Sequence, residues 1–114
     1  MNIPLEYAVL LSTSGLSLDS LGLRDVALLR SDALIAINAL RKAGRAILGG
    51  DVYYLRNGRV ESALANWYVD PKSDEYPASY LQRSWDAAEN YVKAYPDNPG
   101  VEPLFSMVIG EPEP

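Results

Sequence analysis

The chain contains no cysteine and no histidine. Without cysteine it cannot form disulfides, bind zinc through thiolates or hold an iron–sulfur cluster. Without histidine it lacks the most common general base near neutral pH and the middle member of a Ser-His-Asp triad. We therefore predict that the protein is not an enzyme, has no metal site and uses no cofactor.

Positive charge is also scarce, since 10 lysines and arginines face 15 aspartates and glutamates and leave a net charge of −5. Nucleic acid is not an expected partner, because binding to phosphate backbones requires a basic surface. A basic protein partner is favoured, because opposite charges accelerate encounter. The negative charge has an equally simple alternative explanation, which is that it keeps the protein soluble.

Long apolar runs are missing as well. The longest apolar stretches are far shorter than the roughly 20 residues of a membrane-spanning helix. The N-terminal residues 1–6 lack the basic region of a signal peptide and include an early acid, Glu6. We expect no membrane association and a cytoplasmic location.

The residues that are present suit one folded domain. The 114 residues are 48% hydrophobic and include eight tyrosines and two tryptophans. This length supports a single hydrophobic core and a single domain over residues 1–114.

The first half of the chain predicts a helix, a strand and a second helix. Residues 1–22 are predicted to form a helix over 3–12, with Leu5 and Val9 on its apolar face, and then a loop over 16–22. Residues 25–30 form a short apolar run typical of a strand. A helix then begins at Ser31, and Gly44 follows its last turn.

The second half predicts a hairpin, a long helix and a last strand. Residues 45–55 are rich in β-branched and aromatic residues and predict a strand with a bulge or close approach at Gly49-Gly50. Asn57-Gly58 is a strong hairpin signal. The chain that returns after this turn comprises residues 59–63 and 66–70, which form either one bulged strand or two strands. The remaining predictions are an amphipathic helix over 75–95, a central strand over 104–109 and a frayed tail over 111–114.

These elements predict an α+β fold. The simplest packing is a mostly antiparallel sheet of about four strands with two main helices on one face, plus the short N-terminal helix.

Acidic and aromatic residues near the hairpin and the long helix are the candidates for binding a partner. Tyrosine and tryptophan side chains often dominate binding energy, and the acids would attract a basic partner. Each also has a structural explanation, since the aromatic residues could belong to the core and the acids could complement a helix dipole. The candidates are Asp51, Tyr53, Trp67, Tyr68, Asp70, Asp74, Glu75, Tyr76 and Tyr80.

A small enzyme that uses carboxylates is a less favoured alternative, with Asp51, Asp70 and Glu75 as its candidates. It would require these acids to converge in a pocket with shifted pKa values. A Gly-Gly-Asp loop also occurs in nucleotide cyclases, but no second carboxylate motif accompanies it here. The acids near residue 74 lack the alternating ligand spacing of a calcium loop.

Two strings of residues together resemble a known family. The first is Ala-Ile-Leu-Gly-Gly-Asp-Val-Tyr over 46–53, and the second is Asn-Trp-Tyr over 66–68, followed by a helix with Tyr80, Ser84 and Tyr91. Their order and spacing resemble the immunity protein 40 family of bacterial polymorphic-toxin immunity proteins, over roughly residues 20 to 110. The positions that match the family are Gly49, Gly50, Asp51, Tyr53, Asn66, Trp67, Tyr68 and Ser84.

The resemblance implies a partner, namely a toxin domain that the protein binds and blocks without a cofactor. A general interaction module or a homodimer is the alternative, and the sequence does not determine the oligomeric state.

Overall fold

The computed structural model describes residues 3–111, so the predicted frayed tail lies outside the described residues except for Glu111. The elements are α1 (Leu5–Ser14), β1 (Leu16–Ser17), a 3₁₀ turn (Asp19–Leu21), β2 (Val26–Leu29), α2 (Arg30–Lys42), β3 (Ile47–Arg56), β4 (Arg59–Tyr68), α3 (Pro77–Ala94) and β5 (Glu102–Ile109). The predicted α+β fold is confirmed.

The five strands form one sheet in the order β1-β2-β5-β3-β4, and every neighbouring pair is antiparallel. The prediction of about four strands missed β1, in which Leu16 and Ser17 pair with Ala27 and Val26. A two-residue strand has no side-chain alternation that a sequence could reveal, so it was expected as loop. The central position predicted for the last strand is confirmed.

The helices cover one face of this sheet. Their shared core includes Ile37 and Leu40 of α2, Trp85 of α3 and Phe105 of β5. The burial predicted for Leu5 and Val9 of the N-terminal helix was wrong, because they are 79% and 51% exposed, whereas Ile3 and Leu10 of the same segment pack against the core. Tyr7 is the buried residue of α1 instead.

The opposite face of the sheet has a smaller cover. Leu18 follows β1 and is fully buried in a second cluster with Ala27, Tyr53 and Leu104. The segment that contains β1 and the 3₁₀ turn therefore covers only part of this face, beside the hairpin.

Both long strands are irregular. The β3–β5 register shifts between Ile47 and Gly49, which confirms the predicted bulge near the two glycines. A Cβ at Gly50 would lie 2.3 Å from the Trp67 indole and 2.2 Å from the Ser106 carbonyl oxygen, so only glycine fits there. The hairpin return is one strand, β4, with a register shift of its own.

Two side chains attach α3 to the start of β3. The buried Ser84 hydroxyl accepts a hydrogen bond from the Ile47 amide at 3.1 Å and donates to the Leu81 carbonyl at 2.8 Å. The neighbouring Trp85 indole donates to the Arg45 carbonyl at 2.7 Å. These bonds satisfy two backbone groups at and just before the start of β3.

The loop between β4 and α3 is fixed by an ion pair. Both oxygens of the Glu75 carboxylate accept hydrogen bonds from Arg83, at 2.7 and 2.8 Å. Arg83 also donates to the Asp70 carbonyl at 2.7 Å, and the Lys72 amide donates to Glu75 at 3.0 Å. The Arg83 guanidinium and the Lys72 amide lower the pKa of Glu75 from 4.5 to about 2.

We predict that Ser84→Ala lowers the free energy of unfolding by about 1–3 kcal/mol, because it leaves the buried Ile47 amide without its acceptor. Urea unfolding followed by circular dichroism measures the change. The matched control is Ser79→Ala, in the exposed first turn of the same helix, which should change stability by no more than about 0.5 kcal/mol. Equal losses for the two variants would contradict the role of Ser84.

We also predict a pH-dependent coupling between Glu75 and Arg83. Because the folded-state pKa is depressed, the stabilising contribution of Glu75 is complete above pH 4.5 and disappears as the pH falls towards about 2. A double-mutant cycle of Glu75→Gln and Arg83→Gln, measured by urea unfolding across this range, isolates the interaction. A coupling energy that does not vary with pH would show that the ion pair does not form in solution.

Candidate protein-binding surface

The part of the sheet that neither the helices nor the N-terminal segment covers is here called the open face, comprising Leu48, Asp51, Asn66, Tyr68, Asp70 and Val108. Directly paired residues of antiparallel strands project to the same side of a sheet. Gly49 pairs with both Tyr68 and Val108, and Asp51 pairs with Asn66. The strands thus place side chains of β3, β4 and β5 on one surface.

The open face carries accessible aromatic and apolar groups. Tyr68 is 73% exposed and Val108 is 52% exposed. Together with the backbone of Gly49 and Gly50 they border a shallow depression of about 440 Å³. Exposed aromatic side chains beside polar groups are typical of a protein interface.

Two predicted candidates lie beneath or beside the open face rather than on it. Trp67 is buried on the helix side and stacks on Tyr91, with ring centroids 4.7 Å apart. Tyr53 is buried in the cluster with Leu18. Burial raises the pKa of the Tyr53 hydroxyl above its usual range, and the nearby Asp51 carboxylate raises this pKa further.

The acidic residues of the open face form no ion pairs within the described part of the chain, although the Arg83 guanidinium lies close to Asp70. Among residues 3–111, none of the ion pairs involves Asp51 or Asp70, and the same is true of Asp74 in the following loop. Carboxylates outside ion pairs create a negative potential that would attract a basic partner.

The loop after β4 holds the other candidates. Tyr76 is 78% exposed, and with Asp74 it lines a second depression of about 290 Å³. Glu75 lies in the same loop, but Arg83 binds its carboxylate. Tyr80 donates a hydrogen bond to the Val69 carbonyl at 2.6 Å, and this bond secures the end of β4 to α3.

The structure does not assemble the carboxylate pocket that the enzyme alternative requires. Asp51 and Asp70 line one depression and Glu75 lines another. The pKa of Glu75 is lowered by Arg83, whereas a general acid needs a raised one. Within residues 3–111, no group of three or more acidic residues could hold a metal ion. No helix in that range has the length and apolarity to span a bilayer.

The sequence did not single out Leu48, Val108 or Leu64, all of which are exposed apolar residues near the acidic candidates. Val108 belongs to a central strand, where burial on both faces was expected. One feature of the sequence could have indicated that these residues are exposed. The segment over residues 16–22, which covers the sheet face opposite the helices, is too short to cover five strands.

Most of the chain matches a known protein family. A family model described as Immunity protein 40 matches residues 17–109, which include α2, α3 and the four longer strands. No curated protein and no solved structure matches the chain. The predicted resemblance, based on the strings at 46–53 and 66–68, is confirmed. The chain therefore belongs to the Immunity protein 40 family.

Proposed function

We propose that this protein binds the toxin domain of a bacterial polymorphic-toxin system and blocks it by forming a stoichiometric complex. It would do so in the cytoplasm of the cell that makes the toxin, without a cofactor and without catalysis. Family membership supports the immunity role, and the toxin-binding role of the open face is the proposal made here.

One observation supports the choice of the open face as the toxin-binding surface. The open face combines the exposed ring of Tyr68 with the carboxylates of Asp51 and Asp70, which have no ion-pair partner among residues 3–111. Carboxylates outside ion pairs are available to basic groups of a partner, and Asp51 is the clearer case because Arg83 lies close to Asp70. An aromatic anchor with charged groups around it is the usual composition of a binding hot spot.

The rest of the sheet makes this surface rigid. Gly50 and Trp67 lie directly beneath the row that contains Asp51 and Asn66, and α3 packs behind them through Tyr91. A preformed surface loses little conformational entropy on binding, which favours the tight complexes that toxin neutralisation requires. The partner would present basic groups opposite Asp51 and Asp70, and a nuclease toxin would meet this condition because it binds phosphates.

The loop residues Asp74 and Tyr76 are proposed as a second, peripheral contact. They lie in the loop that contains Asp70, and Tyr76 is exposed. The Glu75–Arg83 ion pair would act through this loop by holding it in one conformation rather than by touching the toxin. Trp67, Tyr53 and Tyr80 would likewise support the surface from beneath or beside it.

We predict that two substitutions on the open face weaken toxin binding in different ways. Tyr68→Ala should raise the Kd by about 10-fold or more, mainly through faster dissociation. The double variant Asp51→Asn with Asp70→Asn should slow association about 10-fold at low ionic strength and flatten its salt dependence. Surface plasmon resonance against the domain encoded by the gene immediately upstream measures both rates, and toxin co-expression tests protection of cells.

The matched control is Asp86→Asn, which removes a carboxylate from the exposed side of α3, in the helix layer behind the sheet. Its association rate should equal that of the wild type. Equal effects of the Asp86 variant and the open-face variants would refute the assignment of the surface. Absence of any binding or protection by the wild-type protein would refute the immunity role itself, and a concentration-dependent dimer in that case would support the homodimer alternative.

A further inference from the structure

A two-residue bulge interrupts β4 at its exposed edge. Val52 pairs with Ala65 and Tyr53 pairs with Ser62, so Ala63 and Leu64 have no partners in β3. Because β4 is the last strand of the sheet order, no other strand among residues 3–111 pairs with its second edge. A bulge at a sheet edge redirects a side chain away from the regular alternation.

Leu64 is an unfavourable residue for this backbone. Its φ angle is 56°, in the left-handed region, and Asn57 is the only other non-glycine residue with positive φ among residues 3–111. Asn57 is explained by the Asn-Gly turn, since asparagine tolerates this conformation. Leucine has no such tolerance, and glycine or asparagine would avoid the strain. The Ser62 hydroxyl accepts a hydrogen bond from the Leu64 amide at 3.1 Å and helps to hold the bulge.

The strained backbone of Leu64 does not place its side chain in contact with the core that the structure describes. The Leu64 side chain is 94% exposed, more than any other large apolar residue that the structure describes. Leucine side chains are stabilised when they leave water, but here that gain is available only from another molecule. Strained backbone at an exposed apolar residue points to a functional requirement rather than a folding requirement.

The surroundings of Leu64 indicate what kind of partner would bury it. It borders a depression of about 290 Å³ that is also lined by Ser62, Asn66 and Asp51. Asp51 and Asn66 also line the open face, so Leu64 extends that surface to the strand edge. A protruding apolar side chain beside an unpaired carboxylate is complementary to an apolar pocket with a basic rim.

We infer that Leu64 is an anchor residue that inserts into a basic-rimmed apolar pocket on the toxin domain, held in position by the strained bulge of β4. This inference rests on the proposed function and specifies its contact. It assigns the bulge a role in presenting one side chain, with Asp51 forming the adjacent charged contact.

The test uses two substitutions at Leu64 in the full chain, with binding to the toxin domain encoded immediately upstream measured by surface plasmon resonance. Leu64→Asn keeps a residue that accepts the left-handed backbone but removes the apolar side chain. It should fold with a thermal stability equal to or higher than that of the wild type, because the backbone strain is relieved, and raise the Kd by about 10- to 100-fold. Leu64→Met restores an apolar side chain of similar volume and should stay within about threefold of the wild-type Kd.

The matched control is Ile35→Asn, which removes a 54% exposed apolar residue from α2 in the helix layer. It should leave the Kd unchanged. If the wild type binds the toxin domain and Leu64→Asn binds equally well, the anchor role is wrong while the immunity role stands. If the wild type does not bind, both fail. Equal weakening by the asparagine and methionine variants would also overturn the anchor role, since it would show that apolar volume at this position is not what the toxin recognises.

Discussion

The contact between the Trp67 indole and the backbone of Gly50 determines how the two layers fit together. The indole occupies the space in which any side chain at position 50 would lie, and it stacks on Tyr91 of α3. This aromatic pair joins the hairpin to the long helix, in addition to the hydrogen bonds of Ser84, Trp85 and Tyr80. Any residue larger than glycine would force Trp67 towards α3 or distort the β3–β5 ladder, because the Ser106 carbonyl oxygen is equally close.

The same contact separates structural from accessible residues on the strands. Since Trp67 projects towards the helices, the alternation of β4 places Asn66 and Tyr68 on the other side. The 3₁₀ turn and Leu18 cover only the end of that side near the hairpin. The open face is therefore a direct result of having three helices behind the sheet and one short segment in front of it. Covering one face with helices and the other only in part gives the protein a core while leaving part of the sheet exposed.

Much of this arrangement was predictable from local signals. Asn57-Gly58 fixed the hairpin, the two glycines indicated the bulge, and the apolar stripe on α3 marked the longest helix, because each of these signals depends on neighbouring residues. The strand β1, the burial of Tyr53 and the ion pair that occupies Glu75 depend on contacts between distant segments or on side-chain geometry. The exposure of Leu64 could not be predicted for another reason. It arises from a register shift in β4, which the alternation of polar and apolar residues along the sequence does not reveal. Among the candidate residues, Asp51, Tyr68, Asp70, Asp74 and Tyr76 are accessible, whereas Trp67, Tyr53 and Tyr80 make internal contacts.

The position of β5 has a consequence for synthesis of the protein. Although β5 follows β2 and β3 in the chain, it lies between them and separates them completely. During translation β2 and β3 have no strand to join them until residue 109 has left the ribosome. The row of paired residues that contains Tyr68, Gly49 and Val108 is also incomplete before then. Folding must thus wait for long-range pairing, which is slow compared with local hairpin formation. A chain that ends before β5 would lack the strand that joins β2 to β3 and the part of the open face that Val108 contributes.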